Sequence, residues 1–436
     1  MHNQEKLTKL LCFMARMVVR KYQPLVIGIT GSTGKSSVKE AVALVLSESY
    51  SVRKAEGNYN NEINIPLAIL DVESRGNSFL FRIRIFFKWL TMMLLPLRYP
   101  DILVLEIGGE RPGVMNYLLS LVPVRIGIIT QVSASHRIFF ESVTAVAKEK
   151  GKLIALLPEN GFAILNADDK RVLKMQEKTK AKVLTYGFDE QAMVRADHLL
   201  FYREIKRAEG FSFKLNYDGK SVPVRLPKVI AKHHISAVLA AVAVGVSLKM
   251  NLVEIAGELE KFEPLPGRLR LIPGRNSTFL LDDTYSASPT STRAALAVLC
   301  DLMAPRKIVV LGDMLELGPD AFKEHADLAD TVIAADAHIV MAVGKHMRAF
   351  SDALLQKGYP RKQLLWIADT AVAAQMLSKI IRFEDLILIK GSQEMRMEKI
   401  VETLLVDPED ATTLLCRQTE EWRMKPFSPP AEWREE

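Results

Sequence analysis

Between residues 27 and 37 the chain reads Ile27-Gly28-Ile29-Thr30-Gly31-Ser32-Thr33-Gly34-Lys35-Ser36-Ser37. An apolar, β-prone entry (Pro24 to Ile27) runs into a glycine-bearing turn, and the turn opens a helical pattern from Val38 to Leu46. Strand, loop and helix N-terminus in that order make a cradle for phosphate, because glycines let backbone N–H groups point into the loop. Lys35 can reach the terminal phosphates of a nucleoside triphosphate, and the Ser36 hydroxyl can sit on Mg²⁺. The loop, Gly31 to Ser37, is the short form Gly-x-x-Gly-Lys-Ser, with Ile29 where the longer form carries glycine. An ordinary glycine–serine turn between strand and helix is the alternative reading.

Phosphoryl chemistry also needs groups that hold a divalent metal. Glu106 ends the apolar run Ile102–Ile107, just before Gly108-Gly109. A carboxylate at the C-terminal end of a parallel strand faces the crevice where ligands bind, although the same residue can cap a helix. His136 follows the next apolar run, after Thr130-Gln131-Val132-Ser133-Ala134-Ser135. It can ligate a second metal, or be an ordinary loop histidine.

These residues require elements to position them. The first half of the chain alternates strand patterns (Leu25–Thr30, Ile102–Ile107, Arg125–Thr130, Phe162–Asn166, Val183–Tyr186) with helical ones such as Ser142–Leu157. That alternation implies a parallel sheet covered on both faces. From Met193 to Leu226 the pattern is hairpin-like, with Asp218-Gly219 as a turn signal. An Ala/Val-rich helix follows from His234 to Leu248. Pro264-Leu265-Pro266-Gly267-Arg268 reads as a linker. Beyond it, strands at Thr278–Asp283, Lys307–Leu311, Ile339–Val343, Leu364–Ile367 and Leu386–Ile389 alternate with helices.

The expected fold is α/β: a central parallel-sheet domain bearing the phosphate loop, then a smaller doubly wound, Rossmann-like domain. The boundaries are an N-terminal amphipathic helix over 1–24, the central domain over 25–265, the C-terminal domain over 266–419 and a polar tail over 420–436. Residues 79–99, FLFRIRIFFKWLTMMLLPLRY, form an apolar and basic insertion in the central domain. As a helix it lies in a membrane interface, or packs against its own sheet or a partner. Its start, Phe81-Arg82-Ile83-Arg84-Ile85, also alternates like a strand.

The 436 residues allow two or three domains with ample cores. A net charge of +7 suits an anionic substrate or an anionic membrane surface. No nucleic-acid-binding motif occurs, so nucleic acid is not an expected partner. Cys12, Cys300 and Cys416 are scattered singly and match neither a metal spacing nor a disulfide framework, which points to a reducing cytosol. The first residues mix Lys and Arg with apolar residues without a long apolar core, so a secretory signal is not expected.

Taken together, the motifs resemble the Mur ligase family, the ATP-dependent amide-forming ligases of peptidoglycan precursor synthesis, and within it the MurF type, which adds D-alanyl-D-alanine to a UDP-muramoyl tripeptide. The resemblance rests on Ile29 to Ser36, Gly57-Asn58-Tyr59-Asn60-Asn61-Glu62-Ile63-Asn64, Leu105-Glu106-Ile107-Gly108 and His136. It continues through Asn166-Ala167-Asp168-Asp169, Pro266-Gly267-Arg268 and Asp282 to Pro289. It ends with Leu311 to Gly318, His325, and Lys390-Gly391-Ser392. It implies transfer of the ATP γ-phosphoryl to a carboxylate, giving an acyl phosphate that an amine attacks.

Lys35, Lys150 and His136 are then the implied catalytic residues. Ser36, Glu106, His136 and a carbamylated Lys150, its carbamate derived from CO₂, would hold two Mg²⁺. By its residue type alone Lys150 reads as a solvated helix lysine. Arg268 and Asp283 join the loop in binding ATP, and Asn60, Asn61 and Tyr285 meet the substrates. Implied partners are a cell-wall precursor peptide and an amino acid or dipeptide. The expected location is the cytoplasm, with residues 79–99 allowing a peripheral contact at the inner face of the membrane.

The sequence departs from the family pattern at His233-His234-Ile235-Ser236-Ala237, at Gln131, at Ser286 and Ser288, and at Arg137-Ile138. About two dozen residues precede the loop, where the family carries a UDP-sugar domain. The expectation is therefore a ligase lacking that domain. The rival readings are a ligase for another amino acid or peptide, of the folylpolyglutamate or cyanophycin kind, and a non-catalytic ATP-binding scaffold at the membrane.

Overall fold

The computed structural model describes residues 2–55, 63–72, 79–109, 111–133, 140–203 and 210–424, with backbone alone at 2–6, 79 and 80. The chain divides into two compact units. The first comprises 1–199, 212–226 and 232–262, and the second 200–211, 227–231 and 263–436.

The first unit starts with α1 (His2–Tyr22), β1 (Leu25–Thr30), α2 (Lys35–Leu46), β2 (Val52–Lys54), α3 (Asn64–Ile69), α4 (Phe79–Leu94) and β3 (Ile102–Glu106). It continues through α5 (Val114–Leu121), β4 (Val124–Ile129), α6 (Val143–Ala155), β5 (Phe162–Asn166), α7 (Lys170–Leu173) and β6 (Lys182–Gly187). It ends with β7 (Val194–Phe201), β8 (Phe211–Tyr217), β9 (Lys220–Leu226), α8 (Lys232–Ser247) and α9 (Leu252–Leu259).

The strands form one sheet in the order β2-β3-β1-β4-β5-β6-β7-β8-β9, with parallel pairing from β2 through β6. β1 and β3 are buried nearly throughout, as continuous Val/Ile/Leu runs require when helices cover both faces. α8 is buried on almost every side, which suits a helix apolar all round. β8 and β9 meet at Asp218 and Gly219, both with positive φ, the backbone that a two-residue hairpin turn demands.

Residues 79–94 are helical, so the strand reading of Phe81–Ile85 fails; a single α-helix satisfies this run's backbone groups internally, with Ile85 and Met92 buried along one side. The short strand β2 escaped the sequence reading, because three residues carry too little pattern to register.

The second unit contains β10 (Arg270–Gly274), β11 (Thr278–Asp283), α10 (Pro289–Asp301), β12 (Arg306–Gly312), α11 (Ala321–Ala326), α12 (Ala329–Ala334) and β13 (Ile339–Val343). α13 (Met347–Gln356), β14 (Leu364–Ile367), α14 (Thr370–Ile380), β15 (Asp385–Lys390) and α15 (Glu398–Leu404) follow. The sheet order is β10-β11-β15-β12-β13-β14, parallel except for the antiparallel edge pair β10–β11. β10 carries Pro273, which is tolerated at an edge, and it too was missed in the sequence. Successive residues of one strand feed opposite cores: Leu281, Val309 and Leu311 one face, Leu280, Ile308 and Val310 the other. Of the polar tail, 420–424 is helical, and Arg396 holds Trp422 through its carbonyl at 3.1 Å and over its ring.

α6 is fixed at its start and at its middle. The Ser142 hydroxyl caps its start by accepting from Ala145 N–H. Near its middle, Glu149 accepts the N–H groups of Gly113 and Met115 at the start of α5, each at 3.0 Å, and pairs with Lys152 at 2.6 Å. Burial raises the Glu149 pKa, but Lys152 and the two N–H donors outweigh it and hold the carboxyl below its ordinary value. Glu149→Ala strands two N–H groups at the α5 start. It should lower unfolding stability by about 1–3 kcal/mol in urea denaturation.

Candidate functional site

The Gly31–Ser37 loop sits at the C-terminal ends of β1, β3 and β4. β1 lies between the other two, with Ile29 opposite Glu106 on β3 and Thr30 opposite Ile129 on β4. The loop is tied to the chain leaving β4. Ser32 N–H donates to the Gln131 carbonyl at 2.7 Å, and Ser133 N–H donates to the Ser32 hydroxyl at 3.0 Å. The Thr130 hydroxyl donates to the Thr33 carbonyl at 2.6 Å, and the Thr33 hydroxyl donates to Gln131 Oε1 at 3.2 Å. From β5, Asn166 Nδ2 donates to the Thr130 carbonyl at 2.8 Å, and Asp169 accepts Val132 N–H at 2.8 Å.

Two glycines make this path possible. Gly31 has φ +150°, and a Cβ there would lie 1.9 Å from the Thr130 hydroxyl oxygen. Gly34, with φ +81°, turns the chain into α2. The first turn of α2 holds no acidic residue, so its N-terminal N–H groups and partial positive charge are left for an anion. Lys35 Nζ lies back across the loop, donating to the Gly31 carbonyl at 2.9 Å. Ser36 is half-buried beside it and Ser37 is buried.

Glu106 is 1% exposed, and neither of its oxygens accepts a hydrogen bond among the described residues. Its Oε1 lies 3.1 Å from Lys39 Nζ, which also donates to the Ala55 carbonyl at 2.7 Å. Lys39 follows Lys35 by one helical turn, so α2 directs one lysine into the loop and buries the next against Glu106. Sequence reasoning missed Lys39; the only signal was that four-residue spacing. A buried carboxylate whose oxygens accept no hydrogen bond among the described residues, at the end of the strand beside the phosphate loop, fits an oxygen-coordinating divalent cation such as Mg²⁺.

Lys150 is buried in α6 rather than solvated. Its stem passes Gly109, whose added Cβ would lie 4.0 Å from Lys150 Cγ, so it runs beside the segment that follows Glu106. His136, Asn60 and Asn61 lie outside the described residues.

The second unit gathers the remaining residues around Asp282 and Asp283. Asp283 pairs with Lys390, its register partner on β15, at 2.7 Å, and Lys390 also donates to the Ser286 carbonyl. Asp282 accepts from Gly267 N–H at 2.8 Å and from the Thr284 hydroxyl at 2.6 Å. Burial outweighs these donors and pushes its carboxyl up to about 6. Arg268 lies over the Tyr285 ring, 4.1 Å from its centroid. Asp313, at the end of β12, accepts from His346 and Met347 N–H at the start of α13, while His325 Nε2 accepts from Met314 N–H. In the Leu311–Gly318 segment, Asp313 therefore anchors a helix start and Met314 ties the loop to His325.

Residues 29–81 and 89–245 match the Mur ligase middle domain, and residues 267–393 match the Mur ligase glutamate ligase domain. The chain is 31% identical over 393 residues to the UDP-N-acetylmuramoyl-tripeptide–D-alanyl-D-alanine ligase of Escherichia coli K12, covering 90% of this chain and 79% of that one. A crystal structure of MurF from Acinetobacter baumannii superposes with a TM-score of 0.74 at 25% identity, covering 91% of this chain and 79% of that one. MurF from Thermotoga maritima in complex with ADP shares the fold, with a TM-score of 0.73 at 22% identity over 91% and 83% of the two chains. The chain thus belongs to the Mur ligase family of ATP-dependent amide-forming ligases.

Proposed function

We propose that this ligase adds D-alanyl-D-alanine to the peptide carboxylate of a UDP-muramoyl tripeptide, as the name of its Escherichia coli relative describes for that enzyme. The observation that carries the chemistry is Glu106, a buried carboxylate that accepts no hydrogen bond among the described residues, at the strand end beside the Gly31–Ser37 loop.

In this reading the N–H groups of Gly31 to Ser37 hold the ATP phosphates, and Arg268 and Asp283 contribute to nucleotide binding. Lys35 moves from the Gly31 carbonyl to the transferring phosphoryl and stabilises its charge. An oxygen of the acceptor carboxylate attacks the γ-phosphorus and ADP leaves. The amine of the dipeptide then attacks the acyl carbon, loses a proton, and inorganic phosphate departs. Phosphorylation supplies the leaving group that a bare carboxylate lacks.

Ser36, Glu106, His136 and Lys150, the last as a carbamate, would hold two Mg²⁺. Bound Mg²⁺ neutralises negative charge on the phosphates. Lys150 and His136 act here with Lys35 as catalytic residues, while Asn60, Asn61 and Tyr285 orient the substrates. We place the reaction in the cytoplasm at the inner face of the membrane, with 79–99 as a peripheral contact.

ADP release should require both a UDP-muramoyl tripeptide and D-alanyl-D-alanine. Release with neither requirement, or only with unrelated amino-acid pairs, would overturn the substrate assignment. Lys35→Ala should reduce turnover by on the order of 10²–10³-fold or more, measured as phosphate release; retained turnover contradicts its role. Gly31→Ala should weaken ATP binding by about tenfold or more, because the strained loop costs about 1–3 kcal/mol. Calorimetric titration reads that loss, while an unchanged circular dichroism spectrum shows that the fold survives.

A further inference from the structure

We propose that α1 and α4 together form a docking face for an anionic lipid surface, an inference that rests on the peripheral placement above and adds α1 to it. α1 buries Leu11, Met14, Ala15 and Val18 and leaves Leu10 and Phe13 exposed, Phe13 by 54%, between Lys9 and Arg16. α4 buries Ile85 and Met92 and turns Ile83, Phe87 and Leu94 outward, with Phe87 60% exposed and Leu94 72%. The spacing of four and seven residues keeps those three on one side of the helix.

The two helices are locked together. Lys21 Nζ, at the end of α1, donates to the carbonyls of Met92, Met93 and Leu95 at 2.9–3.1 Å, closing the C-terminus of α4. The Tyr22 hydroxyl donates to the Met92 carbonyl at 2.7 Å, and its ring stacks on Tyr99 at 4.7 Å. α4 therefore cannot roll its apolar side inward without breaking this cap.

The charge of the face selects its occupant. α1 contains five Lys and Arg against Glu5 alone, and residues 79–100 contain four Lys and Arg and no carboxylate. Lys21 serves as the cap and Lys88 pairs with Asp71; Arg16, Arg20, Arg84 and Arg98 are exposed. Between the helices runs an apolar groove of about 210 Å³, lined by Leu7, Leu11, Met14, Ile85 and Phe86. Arg82 forms part of the same wall, and its buried Nε makes no hydrogen bond among the described residues.

Bulky apolar side chains interleaved with cations, above an apolar groove holding an arginine, match a surface of acyl chains and phosphates. Among the described residues no helix is long and apolar enough to cross a membrane, so the contact is interfacial. The match to the family's middle domain leaves out α1 and breaks at residues 82–88, inside α4, where Ile83 and Phe87 lie.

The test is co-sedimentation of the full chain with phosphatidylcholine vesicles, with and without phosphatidylglycerol, in the absence of nucleotide. The chain should pellet with the phosphatidylglycerol vesicles and release at high salt. Phe13→Ser combined with Phe87→Ser should weaken binding roughly tenfold or more, with unchanged thermal stability and unchanged ADP release on soluble substrates. Failure of the wild-type chain to pellet, or equal pelleting of the double variant, would overturn the proposal. So would a wild-type dimer in light scattering that the double variant dissolves, since the face would then belong to a second copy. Because ADP release is scored separately, loss of lipid binding and loss of ligase activity are told apart.

Discussion

The parallel register of β3, β1 and β4 is the constraint on which the site depends. It sets Glu106 opposite Ile29 and Ile129 opposite Thr30, so the carboxylate, the phosphate loop and the Thr130 segment emerge at one sheet edge. A slip of one residue would turn every side chain of the moved strand to the opposite face. The cost of this placement is borne by Glu106. A carboxylate buried away from water is unfavourable in its charged form unless paired, and among the described residues Lys39 is the cation that faces it. Among the described residues the pair leaves the Glu106 oxygens without hydrogen bonds, and that unspent capacity is what suits the position to a metal.

Around this edge, neighbouring elements fix groups that their own backbone would not place. Asn166 at the end of β5 and Asp169 at the start of α7 hold the chain leaving β4, which in turn holds the loop through Ser32 and Thr33. Glu149 pins α6 to the start of α5, and the next residue, Lys150, is thereby directed along Gly109. In the second unit, Asp282 and Asp283 divide their roles. The first ties Gly267 and Thr284 internally, while the second is held by Lys390 at a strand end.

The central strands were legible because buried parallel strands are continuous apolar runs, and β1, β5, β11, β13 and β14 begin and end at the residues the pattern indicates. The loop was legible because glycine, lysine and serine have position-specific duties there. β2 and β10 were not: one is three residues long, and the other is an edge strand interrupted by Pro273. Lys39 was hidden for a different reason. A lysine in a helix ordinarily reads as solvated, and only the fold shows that its helical turn faces Glu106. The same limit applied to Lys150, whose burial follows from the packing of α6 and not from its own sequence neighbourhood.

The claim that phosphoryl transfer onto a carboxylate is the chemistry of this site is tested most directly by isotope transfer. The acceptor carboxylate is labelled with oxygen-18, the reaction is run with ATP and the amine, and the released phosphate is examined by mass spectrometry. An acyl phosphate requires one labelled oxygen to pass into each phosphate formed. Phosphate carrying no label while the amide bond still forms would contradict the account.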